Sequence, residues 1–474
     1  MKFFRILAVL KASYSRLKEK RLNAPESFLT IALHDLKAAF FIASSVVIIS
    51  HFHFNFDIEL DAIKLATSVF QDLRRDDSEA SNTANVIAID NRLYESYFNQ
   101  SSPLERNKLT QILDLILKEE SNRPKVLAID IDLSPSPVPD ASVDIFYDYF
   151  KQFKNTPIVL ITPQKVVSGV ATQTKADWLI KMCELPNIRF AFPYLPSVDN
   201  GVVHYWDAHN SFAYQVRAAT YDAPNPSGQR TICDHIQQDP STARRMVNNF
   251  YDTDPGVFGV DPEHDQGKLL NYKFIENIGF TAIKYERETP HIPEGYAAKI
   301  RDSVVFFGGN YGLSDIYETP MGNLPGIYLH AGTYFTIHGN KVNELVHIAQ
   351  YVIEILITPL LGSIFYFAAA YYRKTHSLAA IVLNLVLHPL IFISYMLLSG
   401  FILYYFNFWL SVSFIIGMEL HAIISGLEEP HVAIDKNRKL LGIPESYIKN
   451  AFYFSIIGWS WFILAQEVIS PHTT

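Results

Sequence analysis

The chain has 474 residues, of which 49% are hydrophobic and 14% aromatic, and a formal net charge of -8. This length suggests two or three structural units. The modest negative charge and the lack of a basic stripe argue against a nucleic-acid partner. Hydrophobicity is uneven, because residues 55–340 carry many charges while residues 38–54 and 345–470 are dominated by apolar runs. We therefore expect a membrane protein with one large water-exposed domain.

Five apolar segments are candidates for an α-helical transmembrane bundle. They are residues 38–54, 346–370, 378–400, 405–426 and 450–468, and the last is the weakest. Each supplies about 20 apolar residues or nearly so, which is enough to cross the hydrocarbon core. Whether 450–468 spans the bilayer or lies in its interface stays open.

Basic residues in the short flanks predict the orientation. The N-terminal segment 1–37 is rich in Lys and Arg, Arg373 and Lys374 lie between two candidate spans, and the 427–449 loop is also basic. Under the positive-inside rule these segments are cytoplasmic, so residues 55–340 lie on the other side of the membrane. The start of the chain is best explained as a basic amphipathic helix on the inner membrane face, with a disordered tail as the alternative, because Lys11 interrupts any signal-peptide run.

The water-exposed domain carries five short apolar runs rich in Val, Ile and Phe. They are residues 85–90, 125–133, 157–162, 188–194 and 303–309. Such runs are typical of strands buried on both faces of a parallel sheet. An amphipathic helix separates the first two, with apolar residues at helical spacing: Leu109, Ile112, Leu113, Ile116 and Leu117. This order predicts a βαβ unit and a mostly parallel α/β fold.

Further helices are expected over 142–155 and 174–185. Between 195 and 300 the pattern weakens, and Gly, Pro, Asp and Asn are common. We interpret this part as an insertion of mixed structure, with helices near 211–221 and 240–250.

Acidic residues follow several predicted strands. Asp90, Asp130 and Asp132 end the first two, and Asp315 follows the fifth. Ligands of parallel sheets bind beyond the carboxyl ends of the strands, so these acids and Arg106 could line a site for a cationic, hydroxylated or metal-bearing ligand. The structural alternative, in which such acids cap helices and fix turns, is favoured here.

The spacing Asp130-x-Asp132-x-Ser134 resembles the nucleophile motif of haloacid-dehalogenase-type phosphatases. The later Lys and the acidic pair of that motif are not evident, so a periplasmic hydrolase ranks third among our hypotheses. The "GGNYG" sequence at 308–312 could bind an anion through backbone amides or simply form a tight turn.

Two cysteines, Cys183 and Cys233, lie in the water-exposed domain. In an oxidising compartment they could form a disulfide, and the alternative of two free thiols stays open. No Cys or His spacing indicates a metal site, and we expect neither a metal nor a cofactor.

Ionisable residues within the candidate spans are costly in lipid and should face protein or water. They are Glu354, His388, Glu419 and His421. We expect them to make intramolecular contacts or to contact the transmembrane helix of a partner.

Several stretches together resemble the CHASE2 family. They are "VIAIDNRLYE", Pro103 and Arg106 before a helix, "VLAIDIDLSPS", and a segment with Gly308, Asp315, Thr319–Pro320, Pro325–Gly326 and His330–Ala331. The resemblance covers roughly residues 55–340. It implies an extracytoplasmic sensory domain of bacterial membrane receptors, with Thr319 and His330 joining the acids and Arg106 as candidate ligand-binding residues.

The chain departs from that family in two respects. "NQSSPLER" replaces the usual Trp-rich stretch, and no cyclase or kinase motif follows the spans. We therefore expect a multi-pass protein of the bacterial inner membrane with a periplasmic domain and without catalytic activity.

Our first hypothesis is an accessory or docking subunit of a membrane-protein complex. The alternative is an effector-less receptor that binds a small periplasmic ligand and signals through a separate protein. The expected partners are the membrane and an integral membrane protein or further copies of the chain.

Overall fold

The computed structural model describes residues 63–65, 67, 69–70, 84–135, 145–163, 169–197, 202, 204–221, 229–248, 255–260, 267–272, 275, 278–312, 315–338, 342–344, 393–394, 397–409, 439–440 and 443–444. The chain divides into two compact units. The unit described here comprises Ile63–Asn343 and Gly400–Phe408, with the two C-terminal residues, and the other takes the remaining segments.

A six-stranded sheet lies at the centre of this unit. Its strands, in chain order, are β1 (Ala84–Asp90), β2 (Val126–Asp130), β3 (Ile158–Ile161), β4 (Ile188–Ala191), β7 (Gly279–Ala282) and β10 (Val304–Asn310). The spatial order is β4-β3-β2-β10-β1-β7, and every pairing is parallel. The prediction of a mostly parallel α/β domain is therefore confirmed.

All five predicted strands are present, and a sixth strand was missed. The sixth, β7, lies inside the segment interpreted as an insertion, and it occupies one edge of the sheet. Its sequence is GFTA, and Phe280 is 40% exposed. A short, half-exposed edge strand with a glycine lacks the continuous apolar run that identified the others.

Ten α-helices and one 3-10 turn are described around the sheet. They are α1 (Asn91–Ser96), α2 (Arg106–Leu117), the turn Glu120–Asn122, α3 (Ile145–Phe150), α4 (Gly169–Met182), α5 (Phe212–Thr220), α6 (Ile232–Gln238), α7 (Ser241–Asn248), α8 (Pro255–Phe258), α9 (Ala297–Ile300) and α10 (Gly326–Ile337). The helix predicted between the first two strands is α2, and all five apolar residues that predicted it are buried. The helix expected over 142–155 ends at Phe150, and that over 174–185 begins five residues earlier, at Gly169.

One face of the sheet, which we call the first face, packs against α2, α3 and α4, with α6 and α7 in the same core. Alternate strand residues such as Ile87, Leu127 and Phe307 contribute to it. Trp178 of α4 contacts Phe190 edge to face, with ring centroids 5.7 Å apart. Because side chains of a strand alternate in direction, the residues between these point to the opposite side.

The opposite side, the second face, is covered by α5 and α10. Phe306 of β10 lies between Phe212 of α5 and Tyr334 of α10, with ring centroids 6.1 and 5.8 Å apart. Gly308 allows β10 and α10 to approach each other closely, because a Cβ atom there would lie 2.9 Å from Cγ1 of Ile327. Gly308 lies within β10, as the predicted strand 303–309 requires, so the alternative of a tight turn beginning at Gly308 is wrong.

Small antiparallel pairs complete the described elements. They are β5 (His204–Tyr205) with β6 (Lys268–Leu269), β8 (Lys284–Glu286) with β9 (Thr289–His291), β11 (Ile316–Thr319) with β12 (Gly322–Pro325), and Lys439–Leu440 with Ile443–Pro444. Two further two-residue strands are Asn343–Glu344 and Phe408–Trp409. Within the ranges given above, none of the helices has the length and apolar character needed to cross a bilayer.

Candidate functional site at the carboxyl edge of the sheet

Two acids meet where β2 and β10 end. Asp130 is the last residue of β2 and is paired in register with Gly308 of β10. Asp315 follows β10 after a short connection and directly precedes β11. Because β2 and β10 are parallel neighbours, their carboxyl ends bring both side chains to the same edge of the sheet.

The Asp315 carboxylate lies against the first turn of α10. A Cβ atom on Gly326 would lie only 2.5 Å from Asp315 Oδ1, so only glycine leaves room for the carboxylate there. Hydrogen bonds from the Tyr317 hydroxyl and the Gly326 amide favour the ionised form of Asp315. The amino end of a helix also favours a nearby negative charge.

Burial nevertheless dominates the electrostatics of the pair. Burial raises the pKa of Asp315 to about 6 despite its two hydrogen bonds. The pKa of Asp130 lies well above its usual range, first because burial disfavours the charged form and second because of the Asp315 charge. Both residues are partly accessible to solvent, so the pair lies at the edge of the sheet rather than deep in the core, and we call it the acidic recess.

Tyrosines surround this recess. Burial and the Asp315 charge raise the pKa of Tyr317, and burial raises the pKa of Tyr311 to about 12. Tyr311 stacks on Tyr94 of α1 with centroids 4.2 Å apart and an interplanar angle of 15°. The Asn91 side chain accepts a hydrogen bond from the Gly312 amide and so fixes the loop that carries Tyr311.

No basic side chain of the described residues forms an ion pair with Asp130 or Asp315. Such uncompensated acids cost free energy, and perturbed carboxyl groups in a recess are typical of functional sites. No group of three or more metal-binding side chains occurs in the same set of residues. The chemistry of the recess, two acids beside aromatic rings, is suited to a positively charged organic group.

The other strand-end acids make structural contacts. The Asp90 carboxylate accepts a hydrogen bond from the Leu93 amide at 2.8 Å and caps α1. Asp132 accepts one from the Ser134 amide at 2.9 Å and forms an ion pair with Lys175 of α4, also at 2.9 Å.

Arg106 holds the loop after β2. It is buried at the start of α2 and donates hydrogen bonds to the carbonyl oxygens of Leu133 and Ser134. Its guanidinium also lies 5.5 Å from the ring centroid of Phe146. These contacts explain the position of the Arg106 guanidinium, and no bound ligand is needed to explain it.

Thr319 and His330 lie within the fold rather than in the recess. The buried Thr319 hydroxyl donates to the Gly322 carbonyl at 2.6 Å and accepts from the Met321 amide at 3.1 Å, which closes the β11–β12 turn. His330 of α10 contacts Phe212 edge to face. Burial lowers the pKa of His330 to about 3, although a hydrogen bond with the Pro193 backbone opposes this shift. His330 is therefore neutral at physiological pH.

Cys183 and Cys233 are joined in a disulfide, with Cα atoms 5.3 Å apart. The bond connects the segment after α4 with α6. Gln237 of α6 strengthens the connection by donating to the Cys183 carbonyl at 3.2 Å.

Glu354, His388, Glu419 and His421 lie outside the described residues. The same holds for the candidate spans 38–54, 346–370 and 450–468, and for most of 378–400, 405–426 and the 427–449 loop.

Sequence reasoning included Asp130 and Asp315 among its candidates, although it favoured a structural role for the strand-end acids, and it missed the tyrosines of the recess. Tyr317 follows Asp315 by two residues, and Tyr311 ends the "GGNY" sequence. The sequence signal for these tyrosines was the presence of aromatic residues close to a strand-end acid.

Fold and site together define a parallel α/β domain with an acidic pair at the carboxyl edge of its sheet. The CHASE2 domain family matches residues 41–367, which is more than half of the chain. The chain therefore belongs to the CHASE2 family of extracytoplasmic sensory domains, as its motifs predicted. No curated protein and no solved structure matches the chain.

Proposed function

We propose that the chain is a membrane-anchored sensory subunit whose periplasmic domain binds a small organic cation in the recess formed by Asp130, Asp315, Tyr311 and Tyr317. The observation that carries the proposal is the pair of interacting acids without a described ion-pair partner. A bound ammonium or guanidinium group would favour the ionised form of both carboxyl groups and could contact the tyrosine rings.

Helix α10 connects the recess to the rest of the chain. Its first residue, Gly326, contacts Asp315, and its 12 residues extend about 18 Å toward the other edge of the sheet. The candidate span 346–370 follows soon after. A ligand that changes the charge of Asp315 acts on the helix directly before this span, which is a short route for a signal toward the membrane.

The proposed arrangement comprises a cytoplasmic segment 1–37, a first span at 38–54, a periplasmic domain at 55–340 and three or four further spans, in a bacterial inner membrane. The disulfide supports the periplasmic placement, because such bonds persist in oxidising compartments. The distribution of Lys and Arg in the short flanks supports the orientation.

We propose binding rather than catalysis in the recess. A nucleophilic carboxylate must be ionised, whereas burial and Asp315 favour the protonated form of Asp130. Lys175 contacts Asp132, which leaves the candidate nucleophile without that cation. Both observations argue against the hydrolase hypothesis.

An accessory or docking subunit is the second candidate function. The observation in its favour is a run of exposed aromatic residues in the helical segment 400–406: Phe401, Tyr405 and Phe406 are 41%, 58% and 67% exposed. Large exposed apolar groups indicate contact with lipid or with a partner's transmembrane helix. A stable partner should then copurify in a fixed ratio in mild detergent.

A thermal-shift titration of the full chain in mild detergent tests the first proposal. The probes are choline, agmatine and spermidine, with glucose and calcium chloride as neutral and metal-ion comparisons. At least one organic cation should raise the thermal midpoint at pH 7, because a ligand that binds the native state stabilises it. Asp130→Asn and Asp315→Asn should abolish the shift.

Asp177→Asn is the matched control, since Asp177 is an exposed acid of α4. It should leave the shift unchanged. A shift that persists in the double variant D130N/D315N, or the absence of any shift with all three cations, would refute the cation site. If only calcium chloride raises the thermal midpoint, the ligand of the recess is a metal ion rather than an organic cation.

A further inference from the structure

The opposite, amino edge of the sheet carries a cluster of basic residues. Lys125 directly precedes β2, Arg217 lies in the last turn of α5, and His338 ends α10. Tyr221, which ends α5, lies between them. We call Lys125, Arg217 and His338, with Tyr221, the basic cluster.

Direct contacts hold this cluster together. Lys125 Nζ lies 5.4 Å from the ring centroid of Tyr221, and the Tyr221 hydroxyl lies 2.8 Å from His338 Nε2. The Tyr221 and His338 rings stack with centroids 5.2 Å apart, and His338 also stacks on Tyr334 at 5.6 Å. The Lys125 ammonium group and the His338 imidazole therefore both contact the side chain of Tyr221.

The positive charge of the cluster has no counter-ion in the described part of the chain. No acid there forms an ion pair with Lys125, Arg217 or His338, and the buried Nε of Arg217 has no hydrogen-bond partner. Burial, then Arg217 and Lys125, lower the pKa of His338. The carboxyl ends of α5 and α10 supply about half a negative charge each, which is less than the two cations carry.

We propose that the basic cluster binds a phosphate-bearing anion. A guanidinium with an unused buried N–H, an ammonium group and a tyrosine hydroxyl are the donors that phosphate oxygens require. Such an anion would satisfy Arg217 Nε and neutralise the local charge.

Two sources of phosphate fit this chemistry. Only seven residues separate His338 from the candidate span at 346–370, and an extended segment of that length covers at most about 25 Å. The headgroup of an anionic lipid is therefore within reach if the proposed membrane placement holds. A free phosphate compound is the other source, and it does not depend on that placement.

Calorimetric titration of the full chain in neutral detergent distinguishes these sources. The probes are dioctanoyl phosphatidylglycerol, dioctanoyl phosphatidylcholine and inorganic phosphate. If a lipid is the ligand, phosphatidylglycerol binds while phosphatidylcholine and inorganic phosphate do not. If a free phosphate compound is the ligand, inorganic phosphate binds as well. In either case Arg217→Gln and Lys125→Gln weaken binding at least tenfold.

Lys284→Gln is the control for net charge, because Lys284 is an exposed lysine that follows β7 at the carboxyl edge of the sheet, opposite the cluster. It should leave the affinity unchanged. Lys125 is exposed, so its variant remains informative if the Arg217 variant fails to fold. Equal losses in the Lys125 and Lys284 variants, or a failure of both phosphatidylglycerol and inorganic phosphate to bind, would overturn the proposal.

Discussion

The two faces of the sheet are covered by different kinds of side chain. The first face is covered by amphipathic helices with aliphatic and aromatic side chains, and the disulfide ties α6 to the segment after α4. The second face buries polar groups among its aromatic rings, including His330, Thr333 and Thr336 of α10. The acidic recess and the basic cluster lie at opposite ends of the same helix, α10.

This difference indicates a division of roles. Apolar burial and a covalent cross-link make the first face a source of stability. The second face carries uncompensated acids at one end and uncompensated bases at the other, and such groups cost stability. Variants of the two faces should therefore separate stability from ligand response.

The largest loss of stability is expected from removing the disulfide. Cys183 and Cys233 are 50 residues apart, and closing a loop of this size contributes about 4 kcal/mol in the chain-entropy model. C183S/C233S should lose about that much in chemical denaturation followed by tryptophan fluorescence, to which Trp178, buried on α4, contributes. The response to organic cations should persist, and a loss below about 1 kcal/mol would show that the first face does not depend on this bond.

Asp132 and Asp130 should respond in opposite directions to the same substitution. D132N leaves the Lys175 side chain, which is 8% exposed, without its ion pair, and breaking a buried pair costs about 3 kcal/mol. D130N removes a carboxyl group that resists ionisation, so at pH 7 it should stabilise the fold. Thermal midpoints of both variants at pH 7 check this, and a destabilising D130N would contradict our assignment of the recess.

Gly308→Ala tests the contact between β10 and α10. The new Cβ would lie 2.9–3.1 Å from side-chain atoms of Ile327, and overpacking of this kind costs about 2 kcal/mol. Ile327→Ala should relieve part of the strain, so the double variant should lose less than the sum of the single losses. Strict additivity in denaturation experiments would show that the two positions are independent.

The first face was easier to predict from the sequence than the second. The apolar spacing of α2 and the continuous runs of five strands follow directly from burial, which local sequence records. The edge strand β7 was missed because it is short and half exposed. The positions of the recess tyrosines and the proximity of Arg217 to His338 depend on tertiary contacts between distant segments.

The strand-end acids also show that sequence alone does not reveal tertiary contacts. Asp90, Asp130 and Asp132 look equivalent in the sequence, yet Asp90 caps a helix, Asp132 pairs with Lys175, and Asp130 faces Asp315. The deciding partners of Asp130 and Asp132 lie far along the chain. Sequence alone therefore supplied the candidates and could not rank them.

The pH dependence of stability tests the acidic recess most directly. Because the pKa of folded Asp315 is raised to about 6, the folded state holds a proton more tightly than the unfolded chain, and the contribution of Asp315 to stability falls as pH rises from about 4 to 6. Asp315→Asn removes this contribution. The buried, neutral His330 acts in the opposite direction as pH falls, so only the difference between variant and wild type isolates Asp315.

The decisive measurement is the difference in thermal midpoint between D315N and the wild-type chain at several pH values. We predict that D315N is more stable by about 2–4 °C at pH 7, and that this advantage disappears toward pH 4.5. A difference that stays constant across this range, or a D315N variant that is less stable at pH 7, would contradict an uncompensated acid pair at the head of α10.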